Sequence, residues 1–224
     1  MKLLHSWDLT PKQAVALQKE LAPSVVVHDD FGEIHCVAGA DMAISRDKKF
    51  GYAGVLLFEF PSLAEIERVH AKVPLKFPYV PGLLSFREIP VLLRAFEKLR
   101  RRPDLVFVDG QGIAHPRRLG IASHLGLCLD LPTIGCAKSR LCGEYRDPGP
   151  KRGDFSELLD KEELIGAVLR TKEGVSPIFL STGHRVSLSS ALRLTLACHQ
   201  GRRIPKPTRD ADRLVAEVKK RDIN

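Results

Sequence analysis

Four consecutive apolar residues, Leu105-Val106-Phe107-Val108, end in Asp109-Gly110. A run this short and this uniformly apolar reads as a strand buried on both faces, the pattern of a central parallel strand. Helical spacing over 119–129 and a second short strand at 133–136 follow it. Strand, helix and strand make a βαβ unit, so the second half of the sheet is expected to be parallel, with helices on its faces.

The rest of the chain fills in around that unit. Thr10-Pro11-Lys12-Gln13 opens a helix running to about residue 21: Thr10 caps, Pro11 suits the first turn and Gln13 completes a capping-box spacing. Three β-rich stretches, 34–43, 52–60 and 65–73, follow with short polar turns between them and read as an antiparallel meander. Pro74, Pro78, Pro81 and Gly82 make 74–84 a stiff loop. Val91, Leu92, Ala95, Phe96 and Leu99 recur at helical spacing over 90–101. Strands at 163–171 and 177–181 and helices near 189–199 and 207–220 complete the chain. The expected architecture is one α/β domain over 1–224, a mixed sheet antiparallel at one side and parallel at the other.

A composition 44% hydrophobic and 28% charged is that of an ordinary globular chain, neither disordered nor repetitive. No apolar run is long enough for a membrane helix, and the N-terminal MKLLHSWDLTPKQ turns polar too soon for a secretory signal, so a cytoplasmic location is expected. The five cysteines, Cys36, Cys128, Cys136, Cys142 and Cys198, are odd in number and contain no C-x-x-C pair. That disfavours both a disulfide framework and a zinc cluster and leaves buried free thiols. Thirty-five Lys and Arg against 27 Asp and Glu give a formal charge of +8, which attracts polyanions, nucleic acid foremost.

Against that basic background, a few acids stand in costly places. Asp41 lies within an otherwise apolar strand, where an ionised carboxylate is expensive unless a cation binds it. Asp109 ends the strand 105–108 at the carboxyl edge, where α/β sheets place their ligands. If these strands are neighbours, the two carboxylates converge, and a hard cation such as magnesium relieves their repulsion. Glu88 offers a third carboxylate from the loop-to-helix junction. Lys138 and His115 follow two successive parallel strands at the same end of the sheet. Lys138 suits charge developing on a phosphoryl oxygen, and His115 suits positioning of water or a leaving oxygen. Each has a plainer reading: a solvent-facing Asp41, a Glu88 serving a Ser85 cap, a turn at Asp109-Gly110, a solvated Lys138, a His115 packed on Pro116.

Four irregular segments in order carry a specific resemblance: Phe77-Pro78-Tyr79-Val80-Pro81-Gly82-Leu83-Leu84-Ser85-Phe86-Arg87-Glu88, Pro103-Asp104-Leu105-Val106-Phe107-Val108-Asp109-Gly110-Gln111-Gly112, His115-Pro116-Arg117-Arg118-Leu119-Gly120-Ile121-Ala122-Ser123-His124 and Pro132-Thr133-Ile134-Gly135-Cys136-Ala137-Lys138. With His5-Ser6-Trp7-Asp8-Leu9 and the tail Gly201 to Arg209, nearly the whole chain resembles endonuclease V, a repair nuclease for deaminated adenine. The resemblance implies a ribonuclease-H-like fold and magnesium, with manganese as a substitute, on Asp41, Asp109 and Glu88. It implies a Pro-Tyr-Ile-Pro wedge at Pro78-Tyr79-Val80-Pro81, with Val80 in place of the isoleucine. It further implies a deoxyinosine substrate cut at the second phosphodiester on its 3′ side, leaving 3′-hydroxyl and 5′-phosphate ends. One tail position varies in that family between His and Asp; here it is Asp212, which puts a histidine-dependent role there in doubt.

A proline-stiffened loop tipped with Tyr79 suits insertion between stacked bases. Backbone groups of Gly82 to Leu84 and of Gly110 to Gly112 suit approach to an extruded base edge. Arg117-Arg118 and Arg202-Arg203 suit phosphate contacts. Inosine in RNA and a non-catalytic nucleic-acid-binding module remain open as alternatives, and no obligate protein partner is implied.

Overall fold

The computed structural model describes residues 4–222, so the first residues of the N-terminal reading lie outside it. One eight-stranded sheet organises the chain: β1 (Cys36–Ile44), β2 (Phe50–Glu59), β3 (Glu65–Pro74), β4 (Leu105–Val108), β5 (Thr133–Ala137), β6 (Phe155–Asp160), β7 (Glu163–Leu169) and β8 (Ile178–His184). Their spatial order is β3-β2-β1-β4-β5-β8-β7-β6. The meander β1-β2-β3 is antiparallel, and β4 lies parallel to both β1 and β5. Beyond β5 the sheet returns to antiparallel pairing through β8, β7 and β6. The parallel strands therefore form the centre and not one side, a correction to the expected layout. The βαβ unit governs only the strands it joins, and the later strands connect by hairpins and short crossings.

Period-2 alternation divides the core into two layers. Ala38 and Ala40 of β1 and Val106 and Val108 of β4 face α2 (Leu84–Phe96) and α3 (Ile121–Leu129). Val37 and Phe107 face the opposite side, under α4 (Leu188–Ala197) and α5 (Lys206–Arg221). Leu92, Leu105, Leu125 and Phe107 are at most 1% exposed, and burial of each such side chain is worth about 1.5 to 3 kcal/mol. Among the described residues no helix is long and apolar enough to cross a membrane.

α1 (Pro11–Leu21) carries the expected capping box between Thr10 and Gln13. α2 begins at Leu84 and not at Pro90, so Pro90 sits inside the helix. An interior proline costs roughly 3 kcal/mol. Burial of Phe86 and Ile89, at 1% and 0% exposure, offsets it by extending the apolar stripe one turn backward. β6 had no counterpart in the sequence reading: it is an edge strand with Leu158 alone fully buried, so no alternation marks it.

Candidate active site

The register of β1 and β4 pairs Ala40 with Val108, and the Asp109 amide donates to the Ala40 carbonyl at 3.2 Å. Asp41 and Asp109 are thus the next residues on adjacent parallel strands, and alternation sends both toward the α5 side. Asp212, on the second turn of α5, joins them there. Single carboxylate oxygens from Asp41, Asp109 and Asp212 all lie within 4.8 Å of one another. α5 approaches so closely because Gly39, two residues before Asp41 on the same face, has no side chain. A Cβ there would lie 1.9 Å from the Pro207 carbonyl oxygen.

Burial and like charges disfavour ionisation of two acids here, Asp41 and Glu88, in the metal-free chain. Desolvation, then Asp109, pushes Asp41 up to about 7. Desolvation, then Asp41 and Asp109, pushes Glu88 up to about 8. Glu88 stands on the second turn of α2 and not at a loop junction, near enough to Asp41 and Asp109 for their charges to raise its pKa. An all-oxygen donor set in which Asp41 is held protonated to about pH 7 fits a hard divalent cation, which replaces that proton.

A stability test follows from these shifts. Both folded values lie above those of free carboxylates, 3.8 and 4.5; below about pH 6.5 the lowered histidines, His115 and His124 among them, pull the other way, so it is between about pH 7 and pH 8 that these two carboxyls make the folded chain bind more protons than the unfolded one. Metal-free protein is therefore expected to lose stability as pH rises through that window. Added magnesium should restore it at the upper end. Thermal unfolding midpoints measured with chelator and with magnesium check this; a midpoint flat or rising with pH in chelator would contradict it.

Lys138 Nζ donates to Asp109 at 2.6 Å and to Asp212 at 3.1 Å. Burial works against its charge, but the two carboxylates outweigh it and raise its pKa. Arg203 donates to the Lys138 carbonyl at 2.8 Å and to the Pro177 carbonyl at 2.9 Å, fixing the chain that carries the lysine. Beside the acids opens a cavity of about 460 Å³, lined by Tyr79 to Gly82, Leu84, Gly110, His115 and Lys138 among others.

The loop bearing Tyr79 is anchored at one atom. The Gly82 carbonyl accepts from Gln18 Nε2 at 3.0 Å, Arg117 Nη2 at 2.7 Å and His115 Nε2 at 3.1 Å. Gly82 has φ +76°, open to glycine at little cost, and an added Cβ would lie 2.7 Å from Arg117. Above this anchor Tyr79 is 68% exposed.

The sequence pattern of the endonuclease V family matches residues 19–213. The endonuclease V of Dehalococcoides mccartyi is 48% identical over 218 residues, 97% of this chain and 98% of that one. The chain belongs to the endonuclease V family. The crystal structure of the endonuclease V of Streptomyces avermitilis matches with a TM-score of 0.93 at 40% identity, covering 98% of this chain and 97% of that one. That of Ciona intestinalis endonuclease V, in complex with a 23mer DNA containing an inosine followed by a ribo-adenosine, matches at 0.84 and 27% identity, with 95% and 99% covered.

In this endonuclease V family member, Asp41, Asp109 and Lys138 lie together, and Glu88 is near enough for the charges of Asp41 and Asp109 to raise its pKa. Asp212 was noted only as a variable tail position. The pairing of Gly39 with Asp41 on one strand face was the available signal that a helix seats there. His115 lines the cavity but does not join the acids. Burial and Arg117 push it down to about 4, so it is neutral, and both ring nitrogens are used: Nε2–H donates to Gly82 and Nδ1 accepts from the Arg117 amide at 3.1 Å. No ring nitrogen is left for water. Gly110 lines the cavity, whereas Gly112 is buried against β8, its amide donating to Ser181 Oγ at 2.8 Å and its carbonyl accepting from the Gly120 amide at 2.9 Å.

The two arginines expected on phosphates also turn inward. Arg117 binds Gln18 and Gly82, and Arg118 pairs with Asp160 at 2.9 Å and Glu163 at 2.7 Å. Of the tail pair, Arg203 is spent on carbonyls and Arg202 is exposed.

Proposed function

We propose that this chain is a DNA repair endonuclease that recognises deoxyinosine and hydrolyses the second phosphodiester bond on its 3′ side, leaving 3′-hydroxyl and 5′-phosphate ends. The observation that carries this reading is the convergence of Asp41, Asp109 and Asp212 beside a cavity roofed by the Tyr79 loop. Magnesium, with manganese as a substitute, supplies activation of water and stabilisation of the leaving oxygen when bound. Asp41, Asp109 and Asp212 would hold it, with Glu88 as a further ligand or as the carboxylate that orients water.

The chain's own residues do the rest. Tyr79 enters the base stack, and extrusion costs least where the pair is weak, as hypoxanthine with thymine is. The cavity receives the base, with backbone groups of Gly82, Leu84 and Gly110 at its wall. Lys138 offers its ammonium to a non-bridging phosphate oxygen. His115 and Arg117 act on the reaction through Gly82 by holding the loop.

A deoxyinosine duplex incubated with protein and magnesium, resolved on a sequencing gel, tests the reading. A nick one nucleotide beyond the lesion's 3′ neighbour bond supports it; an uncut strand or a cut placed without regard to the lesion overturns it. A second reading, inosine in RNA, is favoured by the ribo-adenosine that follows the inosine in the Ciona complex. Matched deoxyinosine and inosine oligonucleotides separate the two.

Base–aromatic stacking is worth about 1 to 3 kcal/mol, roughly 5- to 150-fold in binding. Tyr79→Ala should lower lesion preference by a factor in that range while cleavage chemistry persists on the lesions it does bind. Binding to deoxyinosine and undamaged duplex at one salt concentration, with calcium in place of magnesium, measures it. An unchanged preference would leave the loop a purely structural role.

A further inference from the structure

On the opposite layer from the acids, three side chains of different chemistry meet. His124 and Cys128 stand four residues apart on α3 and so share one face of that helix. His5, from the segment before α1, reaches across so that its Nε2 lies 2.8 Å from His124 Nε2. Ligand atoms of His5, His124 and Cys128 all lie within 4.8 Å of one another.

We propose that His5, His124 and Cys128 form a second metal site, one for zinc or a comparable borderline divalent transition-metal ion. Two imidazoles and a thiolate are the donor set such ions select, whereas the carboxylates around Asp41 select a hard cation. Zinc–nitrogen bonds of about 2.0 to 2.1 Å in tetrahedral geometry place two imidazole nitrogens about 3.3 Å apart. The facing pair therefore opens by about half an ångström to admit the ion.

The surroundings orient both rings for this. The His5 Nδ1–H donates to the Ser6 carbonyl at 2.7 Å, and His124 Nδ1 pairs with Ser85 Oγ at 3.0 Å. Each ring is tied through Nδ1 and turns Nε2 inward; without metal the His124 Nε2–H donates to His5 Nε2, and on metal binding that proton passes to Nδ1, where Ser85 Oγ accepts it. Trp7 and Phe86 wall the site, with ring centroids 5.5 and 5.0 Å from that of His124. Cys128, Trp7 and Asp8 also line a cavity of about 570 Å³ beside the three side chains. Metal binding releases the thiol proton to solvent, and the imidazoles bind neutral.

The site joins the segment before α1 to α3 and, through Ser85, to the first turn of α2, one turn ahead of Glu88. Its role is structural, as a staple across three elements. The missing C-x-x-C signal does not argue against it, because two of the ligands come from one helix and the third from far along the chain.

Cobalt(II) added to the full, chelator-stripped protein tests the proposal, because a thiolate ligand gives a charge-transfer band that carboxylates do not. One equivalent should produce that band in wild type and in Asp109→Ala, and zinc should then displace it. Cys128→Ser should abolish the band, and His5→Gln, altering a half-buried side chain outside the helices, should weaken cobalt binding by at least about 100-fold, the upper end of what losing an outer partner costs. Zinc should also raise the unfolding midpoint of wild type but not of His5→Gln. No band in wild type, or a band unchanged in both variants, overturns the proposal whatever the outcome of the cleavage assay.

Discussion

Asp41→Ala is expected to lower single-turnover cleavage of a deoxyinosine duplex on the order of 10³-fold or more, at least the loss caused by removing one preorganised donor at a developing charge. Asp41 sits on β1, beside β4, with a carboxylate oxygen within 4.8 Å of those of Asp109 and Asp212. Loss of activity should come without loss of fold. Because Asp41 is held near 7 by burial and by Asp109, its removal relieves repulsion, and metal-free Asp41→Ala should melt higher than wild type at about pH 8. Rate and melting measured on the same preparation make the two effects inseparable from one cause. Cleavage near the wild-type rate would remove Asp41 from the metal site; a lower melting point at that pH would mean the carboxylate is stabilising and the cluster has been misread.

Gly39→Ala is expected to be the most disruptive single methyl in the molecule. Its Cβ would lie 1.9 Å from the Pro207 carbonyl oxygen and 2.8 Å from the Pro207 Cα, backbone atoms that cannot rotate away. Overpacking of this kind costs about 1 to 3 kcal/mol and more where backbone must shift. The first turn of α5 has to lift off β1, and Asp212 lifts with it. Stability and cleavage should therefore fall together in Gly39→Ala. In Asp212→Ala, whose side chain is 55% exposed, cleavage alone should fall. Denaturant unfolding and cleavage assays on both variants check the contrast; a Gly39→Ala protein of wild-type stability would show that α5 does not depend on that seat.

The central strands were legible because burial on both faces leaves an unmistakable apolar run, as at Leu105 to Val108, and because Thr10 and Gln13 form a local cap. Asp41, Asp109 and Lys138 were legible for the complementary reason, each being a charge placed where neighbouring residues predict burial or a sheet edge, whereas Glu88 was read at a loop-to-helix junction and stands inside α2. What stayed hidden depends on contacts distant in sequence. Asp212 is one acid among several on the polar face of an amphipathic helix, and nothing local marks the side that meets β1. His115, Arg117 and Arg118 sit among family motifs, and their true partners, Gly82, Gln18, Asp160 and Glu163, lie tens of residues away. The position of the parallel strands was misjudged because β8 reaches β5 antiparallel, a pairing that no periodicity announces. β6 was missed because an edge strand with one buried side chain resembles a polar loop.

The seat of α5 on β1 also sets a schedule for the chain as it is made. Asp41 and Asp109 are present once the centre of the sheet has formed, but their third partner belongs to an element synthesised much later. Long-range closure of this kind is slow relative to local helix and hairpin formation. A chain whose last helix has not docked thus holds Asp41 and Asp109 without Asp212. Docking of α5 is therefore the step that completes the acidic cluster.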